Sequence, residues 1–339
     1  MKTTAVVILN WNGKHFLERF LPSVLAYSNQ PGVSIVVADN GSTDESLSFL
    51  QQQYPQVRLI SLDQNYGFTG GYNRSLAQVN ADYYLLLNSD IEVTENWLTP
   101  LLNLMERDSD VAVCMPKIRS YDRREYFEYA GAAGGFIDKY GYPFCRGRIL
   151  SHIEKDEGQY DSVHEIFWAT GACMLVRADL YWELGGLDED FFAHMEEIDF
   201  CWRAKNHGYK VMCCPTSVVY HVGGGTLPIN TPRKLFLNYR NNLFMLHKNV
   251  AHTHRSVIFV RMCLDGLSAL SYLFSGKISF FKMVLLAHKE FWQYRSSKKI
   301  KKANMPVREL PCMYRRSIIW KFYIRGKRKL KFSDIAKDL

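Results

Sequence analysis

The chain has 339 residues, 47% hydrophobic and 22% charged, which excludes a minimal single-core domain and long disorder and suits one large α/β domain plus an appendage. The net charge of +8 is uneven, with much of the excess in Lys298, Lys299, Lys301 and Lys302 and in Arg325, Lys327, Arg328, Lys329 and Lys331. Such a basic tail either seeks phosphate, in nucleic acid or on an anionic membrane face, or is a solvated surface. Eight scattered cysteines with no CxxC pair argue against a cysteine-built zinc site.

The N-terminus lacks the apolar stretch and cleavage site of a signal peptide and reads as a first strand, so a cytoplasmic location is expected. Thr4 to Leu9 is an apolar, β-branched run suited to a buried parallel strand. A polar turn, Asn10-Trp11-Asn12-Gly13, leads into a helix carrying Phe16, Leu17, Phe20, Leu21, Val24 and Leu25 at helical spacing. Val33 to Ala38 is a second strand stopping at Asp39-Asn40-Gly41-Ser42, where Ser42 and Glu45 form a candidate capping box. Val57 to Leu62 is a third strand, Asn65 to Gly71 a glycine-bearing loop and Tyr72 to Val79 a helix. Tyr83 to Leu87 is a fourth strand ending at Asn88-Ser89-Asp90. Strands alternating with helices predict a doubly wound, mostly parallel α/β sheet. Ligands bind such sheets outside the carboxyl ends of the strands, and Asn10, Asp39, Asn65 and Asp90 lie there.

From Val111 to Gly225 the pattern is mixed, with short strands (Val111 to Met115, Ala172 to Val176, Lys210 to Cys214) and one strong helix, Glu196 to Asn206, stopped by Gly208. After Thr231 the chain reads as helical: Arg233 to Lys248, then the apolar runs Val257 to Phe274 and Ile278 to Ala287. Neither run is a clean membrane span; both read as amphipathic helices on a membrane or as core helices. The expected division is a catalytic domain over 1–230 and a helical, basic extension over 231–339.

Four places carry chemistry. Asp39 can accept from a ribose hydroxyl or a base edge, or simply form its turn. Asp90 is placed to hold a hard divalent cation beside a diphosphate, or to cap a turn. Glu196, Glu197 and Asp199 crowd three carboxylates into four residues. Crowding raises carboxyl pKa values and suits a general base, while acids at a helix start also favour the dipole. His221 ends an apolar strand before Gly223-Gly224-Gly225, as a metal ligand or a structural histidine.

Together the segments Val6 to Gly13, Val36 to Asp44, Asn65 to Asn73, Leu87 to Asp90, Thr170 to Met174, Gly185 to Glu189, Glu196 to Arg203 and Tyr220-His221 resemble, in order and spacing, the family 2 glycosyltransferases of the GT-A fold, especially the rhamnosyltransferase-like branch. The resemblance covers roughly residues 4 to 225. It implies an inverting transfer of a sugar, rhamnose first, from a dTDP- or UDP-linked donor to a glycan or lipid-linked acceptor in surface polysaccharide synthesis. It implies donor contacts from Asn10, Asn12, Asp39, Asn40, Asn65, Gly67, Gly71, Asn73, Asn88 and Ser89. It implies Mg²⁺ or Mn²⁺ at Asp90, the second acid of the family's DxD motif, and at His221. Glu197 takes the place of the basic Asp in the family's Glu-Asp pair, with Glu196 and Asp199 as fallbacks, and Trp168 and Gly171 lie near the acceptor. The expected location is peripheral, on the inner face of the cell membrane.

Two other function classes compete. A nucleotidyltransferase would carry a glycine-rich, basic phosphate loop after the first strand, which Asn10-Trp11-Asn12-Gly13-Lys14 is not. A non-catalytic nucleotide-sugar or membrane scaffold would need neither the paired carboxylates nor His221. The basic tail alone suggests nucleic acid, and no nucleic-acid motif accompanies it.

Overall fold

A computed structural model describes residues 2–223, 231–250, 255–297, 310–323 and 331–336. The lysines at 298–302, the basic residues at 325–329, and Gly224 and Gly225 lie outside the described residues.

The opening third is a run of strand–helix units. Strands Thr4–Asn10 (β1), Val33–Asn40 (β2), Arg58–Leu62 (β3) and Tyr83–Asn88 (β4) alternate with helices Lys14–Tyr27 (α1), Ser46–Gln53 (α2) and Gly67–Leu76 (α3). β1 and β4 are short and almost wholly apolar and bury both faces under covering helices, while β3 at the sheet edge stays largely open. The four strands lie parallel in the order β3-β2-β1-β4. Two local expectations fail. The Ser42–Glu45 capping box is absent: Ser42 serves the preceding loops, and Asp44 Oδ1 instead accepts from Ser46 N at 3.0 Å. The glycines of 67–71 are inside α3, not in a loop before it, because close packing rather than propensity selects them.

The sheet continues through Ile91–Val93 (β5), helix Thr99–Arg107 (α4) and Val111–Ser120 (β6). Four short strands follow, Gly135–Asp138 (β7), Pro143–Cys145 (β8), Arg148–Ile149 (β9) and His152–Ile153 (β10). Then come His164–Ile166 (β11), Cys173–Arg177 (β12), Ala178–Glu183 (α5), Glu196–Asn206 (α6) and Lys210–His221 (β13). The full nine-stranded order is β11-β13-β6-β12-β4-β1-β2-β3, with β5 beside β13. Beyond β4 the sheet is mixed: β12 is antiparallel to both β4 and β6, and β13 is parallel to β6. Parallel pairing needs a long crossover, and the early units have helices for that purpose.

The last section is Pro232–Asn249 (α7), Arg255–Phe274 (α8), Ile278–Ser297 (α9), Met313–Tyr314 (β14) and Ile318–Tyr323 (α10). It is not a detached appendage. β14 pairs with β7 in a second, five-stranded sheet, β10-β9-β8-β7-β14. Asp138, fully buried, accepts backbone N–H groups from Tyr140, Tyr142 and Ile318, each at 2.9 Å. Tyr314, Ile318, Phe322, Phe332 and Ile335 all enter the core of the preceding residues. The boundary expected at residue 230 therefore does not separate two hydrophobic cores.

Candidate active site

The register of the parallel strands assembles one end of the site. β1 and β2 place Asn10 opposite Asp39, and β1 and β4 place Leu9 opposite Asn88. Both Asn10 and Asp39 are fully buried. Asn10 Nδ2 donates to Asp39 Oδ1 at 3.0 Å, and Ser42 N donates to Asp39 Oδ2 at 2.9 Å. Asn12 locks the neighbouring turn, its Oδ1 accepting from Thr43 N at 2.7 Å and its own N–H reaching Ser42 Oγ at 2.9 Å. Asn10 Oδ1 is buried with no hydrogen-bond partner. It faces Gly13, where a Cβ would stand 2.5 Å from that oxygen and 3.3 Å from Ser89 Oγ. Gly13 thus keeps a backbone cradle open beside Asn10 and Ser89.

Several residues expected to touch a donor hydrogen-bond to one another. Asn40 Nδ2 donates to Asn65 Oδ1 (3.1 Å) and Gly67 O (2.9 Å), while Asn40 Oδ1 accepts from Tyr66 N (3.1 Å). Asn65 Oδ1 also accepts from Gly67 N at 2.8 Å. A Cβ at Gly71 would press on Asn40 Nδ2 at 2.9 Å, so that glycine packs against the clamp. Asn73, also expected in the donor set, is tied to the loop after α5. Its amide is consumed behind the site by Leu187 O (2.7 Å), Leu187 N (3.1 Å) and the Tyr181 hydroxyl (2.7 Å).

A second cluster forms where β4 ends. β13 pairs His221 with Ile91 of β5, so His221 arrives beside Asp90. His221 Nε2 lies 3.2 Å from Asp90 Oδ1, and its Nδ1 lies 3.5 Å from Glu128 Oε2. All three are buried. Burial opposes charge on His221, but Asp90 and Glu128 outweigh it and push the imidazole up to about 10. Burial likewise pulls Asp90 up, and His221 holds it below the usual carboxylate range. Neither ring nitrogen of His221 makes a hydrogen bond of good geometry. Among the described residues no group of three His, Cys, Asp or Glu side chains forms a complete metal cage. His221 stands here as an imidazolium between Asp90 and Glu128, so it would add a nitrogen to the hard oxygen of Asp90 only on giving up its proton to an incoming metal. That set fits a divalent cation that keeps substrate oxygens and water in its shell.

The third cluster opens α6. The residues leading in, Phe192, His194 and Met195, have φ of 63°, 72° and 73°, a left-handed conformation costly for side-chain-bearing residues. Glu196 is buried and its Oε2 has no partner; Glu197 is half-buried and its Oε2 has none either. Burial raises Glu197 to about 7. Burial, then the Glu197 charge, then Asp199 raise Glu196 well above its ordinary range. Asp199, expected as a fallback base, is held by neighbouring cations. It is fully buried and receives Arg203 Nε (2.9 Å), Lys248 Nζ (2.9 Å) and Asn249 Nδ2 (2.7 Å). Burial pulls its pKa up, but Arg203 and Lys248 hold it down, so it anchors helices instead of taking protons.

Gly171 joins these clusters. Asn88 N donates to Ala172 O at 2.9 Å, and a Cβ built on Gly171 would meet Phe68 at 2.9 Å and Glu197 Cβ at 3.7 Å. Glu197 therefore stands across a narrow glycine wall from the strand end carrying Asn88-Ser89-Asp90. Trp168, expected near the acceptor, has a buried indole that donates to Phe136 O at 2.8 Å and covers Gly135.

Sequence reasoning missed four residues here. Glu128 lies in a segment of short strands with no periodic pattern. His194 is half-buried with a buried, unpartnered Nε2, and burial, then the Lys234 charge, lowers it to about 4. Lys234, in the first turn of α7, senses Glu128 and Asp90 while burial lowers its pKa. Asn241, fully buried, donates to the carbonyls of Phe191 (2.9 Å), Ala193 (2.8 Å) and His194 (2.8 Å). The one available signal was the polar pair Asn241-Asn242 inside an apolar helical stripe.

Comparison with known proteins places this geometry in context. The profile described as Glycosyl transferase family 2 matches residues 5–185. An N-acetylglucosaminyl-diphospho-decaprenol L-rhamnosyltransferase of Mycobacterium tuberculosis is 28% identical over 230 residues, covering 64% of this chain and 75% of that protein. The dTDP-rhamnosyl transferase RfbF of Shigella flexneri is 22% identical, covering 75% of this chain and 84% of the relative. Among solved structures, GalNAc-T7 with UDP, GalNAc and Mn²⁺ superposes with a TM-score of 0.57 at 17% identity, over 73% of this chain and 48% of that one. The mannosyltransferase PcManGT of Pyrobaculum calidifontis, with GDP-Man and Mn²⁺, gives 0.51 at 12% identity, over 88% and 76%. These two likenesses concern the fold.

Proposed function

The chain belongs to glycosyl transferase family 2, and from that premise we propose that it moves a sugar, rhamnose first, from a dTDP- or UDP-linked donor to a hydroxyl of a glycan or lipid-linked acceptor. The observation that carries the reading is the packing of Glu197 on Gly171, beside Ala172, whose carbonyl accepts from Asn88 N two residues before Asp90. A half-buried carboxylate with a free oxygen and a raised pKa suits removal of a proton from a hydroxyl. The Shigella relative's name supports a dTDP-rhamnose donor, and the mycobacterial relative's name supports a lipid-linked acceptor. A lipid-linked acceptor favours work at the inner face of the cell membrane.

In this reading Asp39, Asn10 and Ser89 receive the nucleoside end of the donor, with Asn12, Asn40 and Asn65 holding their loops. Asp90 and, once deprotonated, His221 would hold Mg²⁺ or Mn²⁺, which when bound would neutralise charge on the nucleoside diphosphate. Glu197 accepts the acceptor proton while the acceptor oxygen forms its bond to the anomeric carbon. The bond from that carbon to the diphosphate oxygen breaks with its electron pair on the diphosphate. One displacement inverts the anomeric centre and leaves the proton on Glu197. Glu196, kept protonated by burial and by Glu197, adds no second charge where the base must work.

A panel of nucleotide sugars with and without Mn²⁺, followed by thermal unfolding, tests the donor. One donor is expected to stabilise the folded chain in a Mn²⁺-dependent way, since ligand bound at a hundred times its Kd adds about 2.7 kcal/mol. No stabilisation by any donor would overturn the donor assignment.

A further inference from the structure

The outward face of α8 and α9 is unlike the rest of the surface. α8 contains a segment, Ser256–Phe274, long and apolar enough to cross a membrane, yet only 17% of it is buried in the protein. One stripe of α8 is pinned to the catalytic body. Arg261 and Asp265 are buried and paired at 2.8 Å, Arg261 donates to Asn242 Oδ1 at 2.5 Å, and its guanidinium lies 4.0 Å from the Tyr142 ring centre. α9 is pinned likewise. Tyr294 stacks on Phe244 at 3.9 Å, and Glu290 pairs with Arg240 at 3.2 Å. Moving α8 into a bilayer would strip a buried ion pair of its partners, a loss of several kcal/mol.

The opposite stripe is apolar and uncovered. Phe259, Leu267, Leu270 and Phe274 of α8 are 70%, 64%, 45% and 85% exposed. Leu285 and Trp292 of α9 are 50% and 51% exposed. Lys277, Lys282 and Lys289 are exposed among them. Between residues 255 and 297 the acids are Asp265, which is buried, and Glu290, which is paired. The sequence then runs into Lys298, Lys299, Lys301 and Lys302. A soluble monomer rarely exposes so continuous an apolar strip. Apolar side chains flanked by lysines, with no unpaired acid, match a bilayer interface bearing anionic headgroups.

We infer that the α8–α9 hairpin lies in the plane of an anionic membrane surface, inserting Phe259, Leu267, Leu270 and Phe274 of α8 and Leu285 and Trp292 of α9 among the lipids without crossing them. The inference deepens the lipid-linked acceptor reading and rests on it only for its biological purpose. α8 and α9 also pack on α7, whose Asn241 holds the loop before Glu197, so hydrogen bonds and an ion pair link the anchor to the loop before α6. Deleting residues 255–339 would remove core side chains along with the anchor, so point substitutions make the cleaner test.

The test uses the full chain with phosphatidylcholine vesicles, with and without phosphatidylglycerol. The wild type is expected to co-sediment with the anionic vesicles and to bind the neutral ones about tenfold or more weakly. L267S/L270S/F274S, and separately K282E/K289E, are expected to lose about tenfold or more of that binding, with unfolding temperature and nucleoside diphosphate release toward a soluble acceptor unchanged. Alkaline carbonate should release the wild type from cell membranes. Retention in carbonate would overturn the in-plane geometry. Equal vesicle binding by all forms, or no vesicle binding by a wild type that self-associates through this strip, would overturn the membrane partner. Loss of donor turnover in the wild type, with vesicle binding intact, would count against the transfer reading alone.

Discussion

Glu197→Gln is expected to lower kcat by about a hundred- to ten-thousandfold, the range for removing a general base, while donor-induced stabilisation stays intact. The amide keeps the shape of the carboxylate but cannot take the acceptor proton. In the wild type kcat/KM should rise with pH through about 7, the value to which burial raises Glu197. That rise should vanish in the variant. Stability should move in the opposite sense. The folded pKa lies above the ordinary value of 4.5, so between those two pH values the native state holds more protons than the unfolded chain. Stability therefore falls as pH climbs through that window, and the penalty is fully present above about 7. Gln removes the penalty. The variant should unfold at a higher temperature than the wild type at pH 8, with the difference fading below pH 4.5. Steady-state kinetics and thermal melts across that range read both effects. An active variant, or an inactive one that is also less stable at pH 8, would contradict the assignment.

Asn241→Asp is the second large effect, and it acts at a distance. The loop before α6 holds Phe192, His194 and Met195 in left-handed conformations, and Asn241 supplies the N–H groups that tie three of its carbonyls. The same loop reaches the donor side. Phe192 O accepts from Phe68 N at 2.7 Å, and a Cβ on Gly67 would meet the Phe192 ring at 2.5 Å. Aspartate has the same shape but replaces two donors with acceptors facing those carbonyls. Each buried group left unpaired costs about 1–3 kcal/mol, and a shift of about 1 Å at a reacting group can cost about a hundredfold in rate. kcat should fall by about ten- to a hundredfold, and the pH midpoint of kcat/KM should move as Glu197 changes surroundings, in protein assayed well below its unfolding temperature. A lowered unfolding temperature with kcat and the pH midpoint unchanged would reduce Asn241 to a structural role.

The parallel half of the sheet was legible because apolar, β-branched runs separated by amphipathic helices leave few other arrangements. The strand ends carrying Asn10, Asp39 and Asp90, and the helix starting at Glu196, were legible for the same reason. Where tertiary contacts decide, the reading failed. The glycines of 67–71 looked like a loop, yet their missing side chains admit Phe192 and Asn40 against α3. Ser42 looked like a helix cap, but its hydroxyl meets Asn12 and Asn10 from another strand end. Asp199 looked like a spare base until Lys248, 49 residues later, arrived to neutralise it. The second sheet was invisible because its strands of two to four residues carry no period, and one of them, β14, comes from the far end of the chain.

The most direct test of the account is nucleoside diphosphate release from dTDP-rhamnose or the donor found by thermal shift, with acceptor present, by the wild type and by Asp90→Ala, each with Mn²⁺ and with chelator. The account predicts release by the wild type with Mn²⁺, none with chelator, and at least about a hundredfold less from Asp90→Ala. Release that ignores the chelator, or that survives Asp90→Ala in a folded protein, would contradict it.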